Sequence, residues 1–235
     1  MLPDLQENSS NAYEIVSDEV PVMHNHERLP LVIPFESRLS LLYSTWRVVL
    51  DNIFGLLGMA ILLLTLPVMA LLIYLDSPGP IFYSQERLGF QGKPFRIYKF
   101  RSMRTDAESG GQAIWAGAQD KRVTRVGRVL RATHLDELPQ VFNILRGDMS
   151  LIGPRPEREV YAREMERIDP MYRYRVVVKP GLTGWAQVKF GYGEGDHSEL
   201  HKLRYDLFYI EYRSCFLDIV IILKTLVEVF SFHGR

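Results

Sequence analysis

The sequence predicts a mostly helical α/β fold with a small β-hairpin, in which a membrane-embedded helix is joined to one compact domain bearing amphipathic interfacial helices. Three observations predict it. An uncharged apolar run of 23 residues, Ile53–Leu75, can reach through a bilayer core at about 1.5 Å per helical residue. Two short β-prone segments follow, joined through glycines, and after them several stretches place apolar residues at helical spacing. With 235 residues, 47% apolar and 24% charged, the chain suits one domain plus extra segments and is neither disordered nor collagen-like.

The first segment, residues 1–45, is an acidic and polar tail. Asp4, Glu7, Glu14, Asp18, Glu19 and Glu27 precede any Lys or Arg, which excludes the basic start of a secretory signal. Without apolar periodicity before Leu29, the tail is expected to stay outside the core. The membrane segment, residues 46–76, comes next. Its apolar run is bounded by Asp51 and Asp76 and is apolar on all sides, unlike a one-sided core helix. Pro67 removes a backbone hydrogen bond inside it and is expected to break the helix into arms of fourteen and eight residues. Neither arm alone crosses about 30 Å, so a re-entrant hairpin with both ends on one face is physically open. The strongly basic stretch after the run places that face in the cytoplasm.

The domain of residues 77–235 opens with the turn formers of Asp76-Ser77-Pro78-Gly79-Pro80. Ile81–Tyr83 and Phe95–Phe100 read as strands, linked through Gly89 and Gly92. Residues 107–119, with three glycines, read as a loop able to close over a substrate. Lys121–Ala132 reads as a helix with Val123, Val126, Val129 and Leu130 on one side and arginines at every third position beside them. Leu138, Val141, Phe142 and Leu145 form the next helical stripe, with Asp136 and Glu137 at its start and Gly147 at its end. A helix over Glu157–Ile168, a turn-rich loop through Lys179-Pro180-Gly181, and an amphipathic helix over Phe216–Phe232 complete the chain. The last carries Asp218, Lys224 and Glu228, so it should lie on the membrane or against the domain rather than cross.

Zero net charge conceals segregation. Between Lys93 and Arg131 there are ten basic residues against Asp106, Glu108 and Asp120. Such an excess suits nucleic acid, an anionic membrane surface or a phosphorylated substrate. No recognition-helix, zinc-finger or RNA-binding aromatic pattern accompanies it, so phosphate chemistry at a membrane fits better than nucleic acid. The single cysteine, Cys215, excludes an intramolecular disulfide framework and a cysteine-based zinc site, and a reducing cytoplasm is the simplest setting. The six histidines lack metal spacing; His197 and His201, four apart, read as a surface pair.

Asp136 and Glu137 sit in a helix's first turn, where an acid is ordinarily a cap. Side by side they point about 100° apart, so they can take separate roles, one attacking and one holding a metal. Phosphoryl transfer needs such a pair, with Mg2+ and arginines to offset developing charge, and Arg128 and Arg131 are near in sequence. Arg155 stands between Pro154 and Pro156, in a stiffened segment that loses little entropy on pairing with phosphate or a base edge.

Three strings, SPGPIFYSQERLGFQGKPFRIYKFRSM (Ser77 to Met103), LDELPQVFNILRGDMSLIGPRPE (Leu135 to Glu157) and KPGLTGWAQV (Lys179 to Val188), closely resemble the bacterial sugar transferases. These are monotopic polyprenyl-phosphate phosphoglycosyl transferases that start exopolysaccharide, capsule and O-antigen synthesis. The resemblance runs from about Trp46 to the C-terminus. It implies a nucleophile at Asp136, a Mg2+ ligand at Glu137, an active-site arginine at Arg131, nucleotide recognition by Arg155, and Lys99 and Arg101 near the site. It also implies a re-entrant helix bent at proline and a catalytic domain on the cytoplasmic face of the bacterial inner membrane.

The expected reaction moves a sugar-1-phosphate from a UDP-sugar, first UDP-glucose or UDP-galactose and then N-acetylated donors, to undecaprenyl phosphate, releasing UMP. Partners would be those two substrates, inner-membrane lipids and a second copy of the chain, with no nucleic acid. Two other classes stand beside it: a membrane-associated glycosyltransferase releasing UDP, and a non-catalytic scaffold of polysaccharide assembly. The first should carry a Rossmann-like domain and an Asp-x-Asp motif, and neither is visible in the sequence. The family's long members carry several spans and a further domain before the catalytic unit, where this chain has only its acidic tail.

Overall fold

The computed structural model describes residues 41–107, 120–190 and 196–230. The acidic tail to residue 40, the loop expected to close over substrate (residues 108–119) and the His197 side chain lie outside the described residues.

Helix α1 (Leu41–Asp76) is 36 residues long, with Pro67 inside it. Helical turns continue through Pro67 instead of separating into two arms. The proline removes only its own bond to the Leu63 carbonyl, and the turns on both sides keep theirs, which apolar surroundings without competing water favour. The helix also starts at Leu41, ahead of the boundary read at residue 46. One face is docked along the domain. Gly55 and Gly58 bring its backbone against α3: a Cβ on Gly55 would stand 2.7 Å from a Leu145 methyl, and one on Gly58 2.5 Å from a Val141 methyl. The opposite face leaves Leu56, Leu57, Leu63, Leu64, Val68, Leu71 and Leu75 exposed, an apolar surface that water would not tolerate and lipid would cover.

Strands β1 (Phe82–Leu88) and β2 (Pro94–Phe100) pair antiparallel in the predicted hairpin, with Phe82 opposite Phe100. Helix α2 (Arg125–Ala132) is shorter than its apolar periodicity predicts, because Thr124 caps it by accepting from the Gly127 amide, and Val123 instead bridges to Met103. The expected single helix after Asp136 is a 3-10 turn, Leu135–Gln140, running into α3 (Val141–Arg146). Gly147, at φ 81°, ends α3 in the left-handed conformation that glycine adopts without cost.

Four elements were not foreseen. Strands β3 (Ser150–Ile152) and β4 (Gly181–Thr183) make a parallel pair, too short to show a period. After the predicted α4 (Glu159–Ile168) and a 3-10 stretch (Pro170–Val177) come α5 (Trp185–Phe190) and α6 (Asp196–Tyr212), the latter polar over much of its length. Helix α7 (Cys215–Phe230) is the amphipathic helix predicted. It buries Asp218 and Ile221 and exposes Phe216, Ile219, Leu223, Leu226 and Val227.

Two apolar clusters hold α1 to the domain. Leu50 joins Ile152, Trp185, Tyr209 and Ile221 near its start, and Leu62 and Ile73 join Phe100, Leu130 and Val141 further along. Beside the first lies a polar staple. Arg47 donates to the Tyr209 hydroxyl at 2.6 Å, to the Ile152 carbonyl at 2.5 Å and to Ser150, and pairs with buried Asp218 at 3.4 Å. One turn on, Asp51 accepts from Ser150 Oγ and the Leu151 amide at 2.7 and 2.8 Å. Three elements, β3, α6 and α7, thus converge on the first turns of α1.

Candidate active site

The 3-10 turn carrying Asp136 and Glu137 begins at His134, whose φ of 58° reverses the chain after α2. Pro139 fixes the turn from within. The turn lies against β2, and β2 is pinned in turn by fully buried Asn143, whose side chain accepts from the Tyr98 amide at 3.2 Å and donates to the Arg96 carbonyl at 2.7 Å. This sets Lys99 beside the acidic pair: its ammonium lies 2.6 Å from Glu137 Oε1.

Arg155 approaches from the other side. Its guanidinium donates to Glu137 Oε1 at 2.5 Å and Oε2 at 3.3 Å, a two-pronged grip. The backbone holding it is fixed at three residues. Buried Pro154 accepts from the Gly181 amide at 2.9 Å, the Arg155 carbonyl accepts from Arg175 at 3.0 Å, and buried Pro156 accepts from Arg87 at 3.3 Å. Arg175 is held by buried Asp206 at 2.8 Å and by the Tyr172 hydroxyl. Arg175 and Asp206 escaped the sequence reading because each lies alone among helix-forming residues with no motif to flag it, and Asn143 because nothing in its motif string marks one amide as structural.

The two carboxyls are both buried and electrostatically opposite. Burial pushes Asp136 up to about 6; Glu137 adds to this, while Lys99, Arg131 and Arg155 oppose it. Burial acts upward on Glu137 too, but there Arg155 and Lys99 outweigh it and hold the carboxyl well below the usual range. Glu137 is therefore a fixed anion, and Asp136 is a carboxylate at neutral pH whose charge is opposed by burial and Glu137 more than Lys99, Arg131 and Arg155 favour it. Such a group is reactive toward an electrophile.

The structure thus brings Asp136, Glu137, Lys99 and Arg155 together, with Arg131 in electrostatic reach. Arg128 points outward from α2 and is exposed. Arg101 is elsewhere: β2 ends at Phe100, and the buried Arg101 side chain donates to the Ser77 and Pro78 carbonyls just beyond α1. Pro154 and Pro156 act through their carbonyls and their stiffness.

A cavity of about 300 Å³ opens beside Glu137 and Arg155 and reaches Thr183, Gln187, Lys202 and Glu228. A second, of about 280 Å³, lies across the Pro154–Pro156 segment, bordered by Gly89, Arg163 and Arg173, and Arg155 lines both. Among the described residues no group of three or more His, Cys, Asp or Glu side chains could cage a metal. The Asp136 and Glu137 carboxylates are adjacent, and Lys99 and Arg155 hold the Glu137 oxygens.

The chain matches the family model for bacterial sugar transferases over residues 42–232. It is 40% identical over 222 residues to the UDP-N-acetylgalactosamine-undecaprenyl-phosphate N-acetylgalactosaminephosphotransferase of Aeromonas hydrophila, covering 94% of this chain and 51% of that protein. To the UDP-glucose:undecaprenyl-phosphate glucose-1-phosphate transferases of Xanthomonas campestris pv. campestris and Escherichia coli K12 it is 46% and 43% identical, over 66% and 74% of this chain and 32% and 38% of theirs. The chain thus spans about half or less of the length of these relatives. The three motif strings, the membrane helix docked on the domain and the match over nearly all described residues lead to one conclusion: the chain belongs to the bacterial sugar transferase family.

Proposed function

We propose that the protein is a polyprenyl-phosphate phosphoglycosyl transferase that moves a hexose-1-phosphate from a UDP-sugar to undecaprenyl phosphate and releases UMP. The observation that carries this reading is the buried Asp136 carboxylate, raised toward neutrality, beside a Glu137 locked by Lys99 and Arg155. Asp136 attacks the β-phosphorus of the donor. The phosphorus–oxygen bond to the α-phosphate breaks, its electron pair leaves with UMP, and the sugar phosphate is held as an acyl phosphate. A phosphate oxygen of the acceptor then attacks the same phosphorus and returns Asp136 as a carboxylate. One diphosphate link replaces another, so the reaction runs near equilibrium and follows ping-pong kinetics.

Lys99, Arg131 and Arg155 lie where negative charge gathers on the transferred group, and Arg155 borders both cavities, so it can hold a donor phosphate while the nucleoside lies on its other side. A bound Mg2+ would supply further charge neutralisation at the diphosphate. The relatives' names include both N-acetylgalactosamine and glucose, so the donor panel must contain N-acetylated hexoses as well as glucose and galactose.

The topology that fits is re-entrant, at the bacterial inner membrane with the domain on the cytoplasmic face. Contacts from Arg47 to Asp76 dock α1 on the domain along about 44 Å at 1.5 Å per residue, leaving no free stretch to cross alone. The reading is tested with purified protein in nanodiscs, Mg2+, undecaprenyl phosphate and a panel of UDP-sugars. UMP from one donor is expected, and UDP would indicate sugar transfer without phosphate and overturn it.

A further inference from the structure

Downstream of α1, the chain builds a basic cluster that the proposed reaction does not use. Asp76, the last residue of α1, accepts from the Val126 amide at 2.8 Å, which fixes the first turn of α2 at the helix's exit. Residues 102–104 run beside 122–124. Met103 bridges to Val123, the Arg104 amide donates to the Arg122 carbonyl at 2.9 Å, and the Thr124 amide donates to the Ser102 carbonyl at 3.1 Å. This pairing brings the backbone at Arg104 beside the one that carries Lys121 and Arg125, and all three side chains are exposed. Asp120 does not offset them, since its carboxylate is gripped by Arg122 at 2.6 Å; the other acids of this region are exposed Asp106 and half-buried Asp76, the latter near Arg125 at the start of α2. Among the described residues, the side chains of Arg104, Lys121 and Arg125 make no ion pair within 4 Å.

What adjoins the cluster identifies its partner. The last turns of α1 expose Leu71, Leu72, Tyr74 and Leu75, and α2 exposes Val129. Apolar side chains for acyl tails, a tyrosine at the boundary and three cations beyond it reproduce, in order, the layers of a bilayer leaflet. We propose that Arg104, Lys121 and Arg125 form a binding surface for the headgroups of anionic phospholipids, holding the exit of α1 at a fixed depth.

The full-length protein is extracted in mild detergent from membranes of known phosphatidylglycerol to phosphatidylethanolamine ratio, and the lipid it retains is quantified by mass spectrometry. Retained lipid is expected to be enriched in phosphatidylglycerol, by a factor that falls roughly fivefold for each cation neutralised. The Arg104→Gln/Lys121→Gln/Arg125→Gln protein should carry lipid near the bulk ratio at unchanged melting temperature, and the Arg104→Lys/Arg125→Lys protein should keep the enrichment. Enrichment in the parent must also collapse between 0.1 and 0.5 M salt. A parent without enrichment, a glutamine variant that keeps it, or co-purified nucleic acid lost in that variant would each overturn the proposal.

Discussion

Asp136 and Glu137 are neighbours in sequence with opposite electrostatics, and that contrast makes distinct predictions. The Asp136 carboxyl is raised to about 6 by burial, so folding makes its ionisation harder. Its folded-state pKa lies above its unfolded value, which means that stability falls as pH rises from about 4 through 6. Asp136→Asn should therefore abolish UMP formation yet raise the melting temperature at pH 7.5, with the gain shrinking toward pH 4. A less stable Asp136→Asn protein at neutral pH would contradict the electrostatics even if it were inactive. Turnover of the parent should drop as pH falls through about 6, where Asp136 takes up a proton. Glu137, held low by Arg155 and Lys99, contributes stability present above pH 4.5 that is lost as pH falls below it.

Arg155→Lys keeps the charge but loses the two-pronged grip on Glu137, so kcat should fall about 10²-fold or more with the charge unchanged. At this scale the sequence is eloquent where chemistry forces residue types together: the acidic dyad, Lys99 and the proline-flanked arginine are all visible as motifs. Arg101 shows the limit. It shares a motif with Lys99, but the strand ends between them, and spacing alone does not reveal that its side chain serves the turn at Ser77 and Pro78.

Among the elements, the polar staple between α1, β3, α6 and α7 makes the sharpest claim. Asp218 is fully buried against Arg47 and the Tyr209 hydroxyl, the latter at 3.0 Å. Asp218→Ala leaves Arg47 without its counter-charge and should cost about 3–5 kcal/mol in unfolding experiments in detergent. The double change Arg47→Met/Asp218→Leu should recover most of that loss, because apolar side chains of similar volume replace both charges. The hairpin, α4 and α7 were legible because their periods are long enough to count. β3 and β4 are three residues each, so they appear only once tertiary contacts exist, whereas α6 carries a stripe of Leu200, Leu203, Leu207 and Ile210 that its charged residues obscure. At Pro67 the local rule reads a break or a kink; the segment is one helix through it, because one missing bond is outweighed by the turns around it and by a docked face.

For the molecule as a whole, α1 and α7 each expose an apolar face, and the acidic pair is buried within the domain that carries them. Under the proposed ping-pong reaction, a soluble donor and a membrane-bound acceptor use one carboxylate in turn without meeting. A docked, re-entrant α1 predicts that both its ends are reached from the same side. In a Cys215→Ser background, Ser44→Cys and Ser77→Cys should both react with a membrane-impermeant maleimide in inverted vesicles and neither in intact cells after outer-membrane permeabilisation. Labelling of the two from opposite sides would mean a spanning helix.

The most direct test of the central claim is a single-turnover experiment: protein, Mg2+ and the active UDP-sugar without acceptor, followed by intact mass and nucleotide analysis. A burst of UMP stoichiometric with enzyme is predicted, with a mass gain of one sugar phosphate located on Asp136 and absent from Asp136→Asn. UDP in place of UMP, or UMP formed only when acceptor is present and without any adduct, would contradict it.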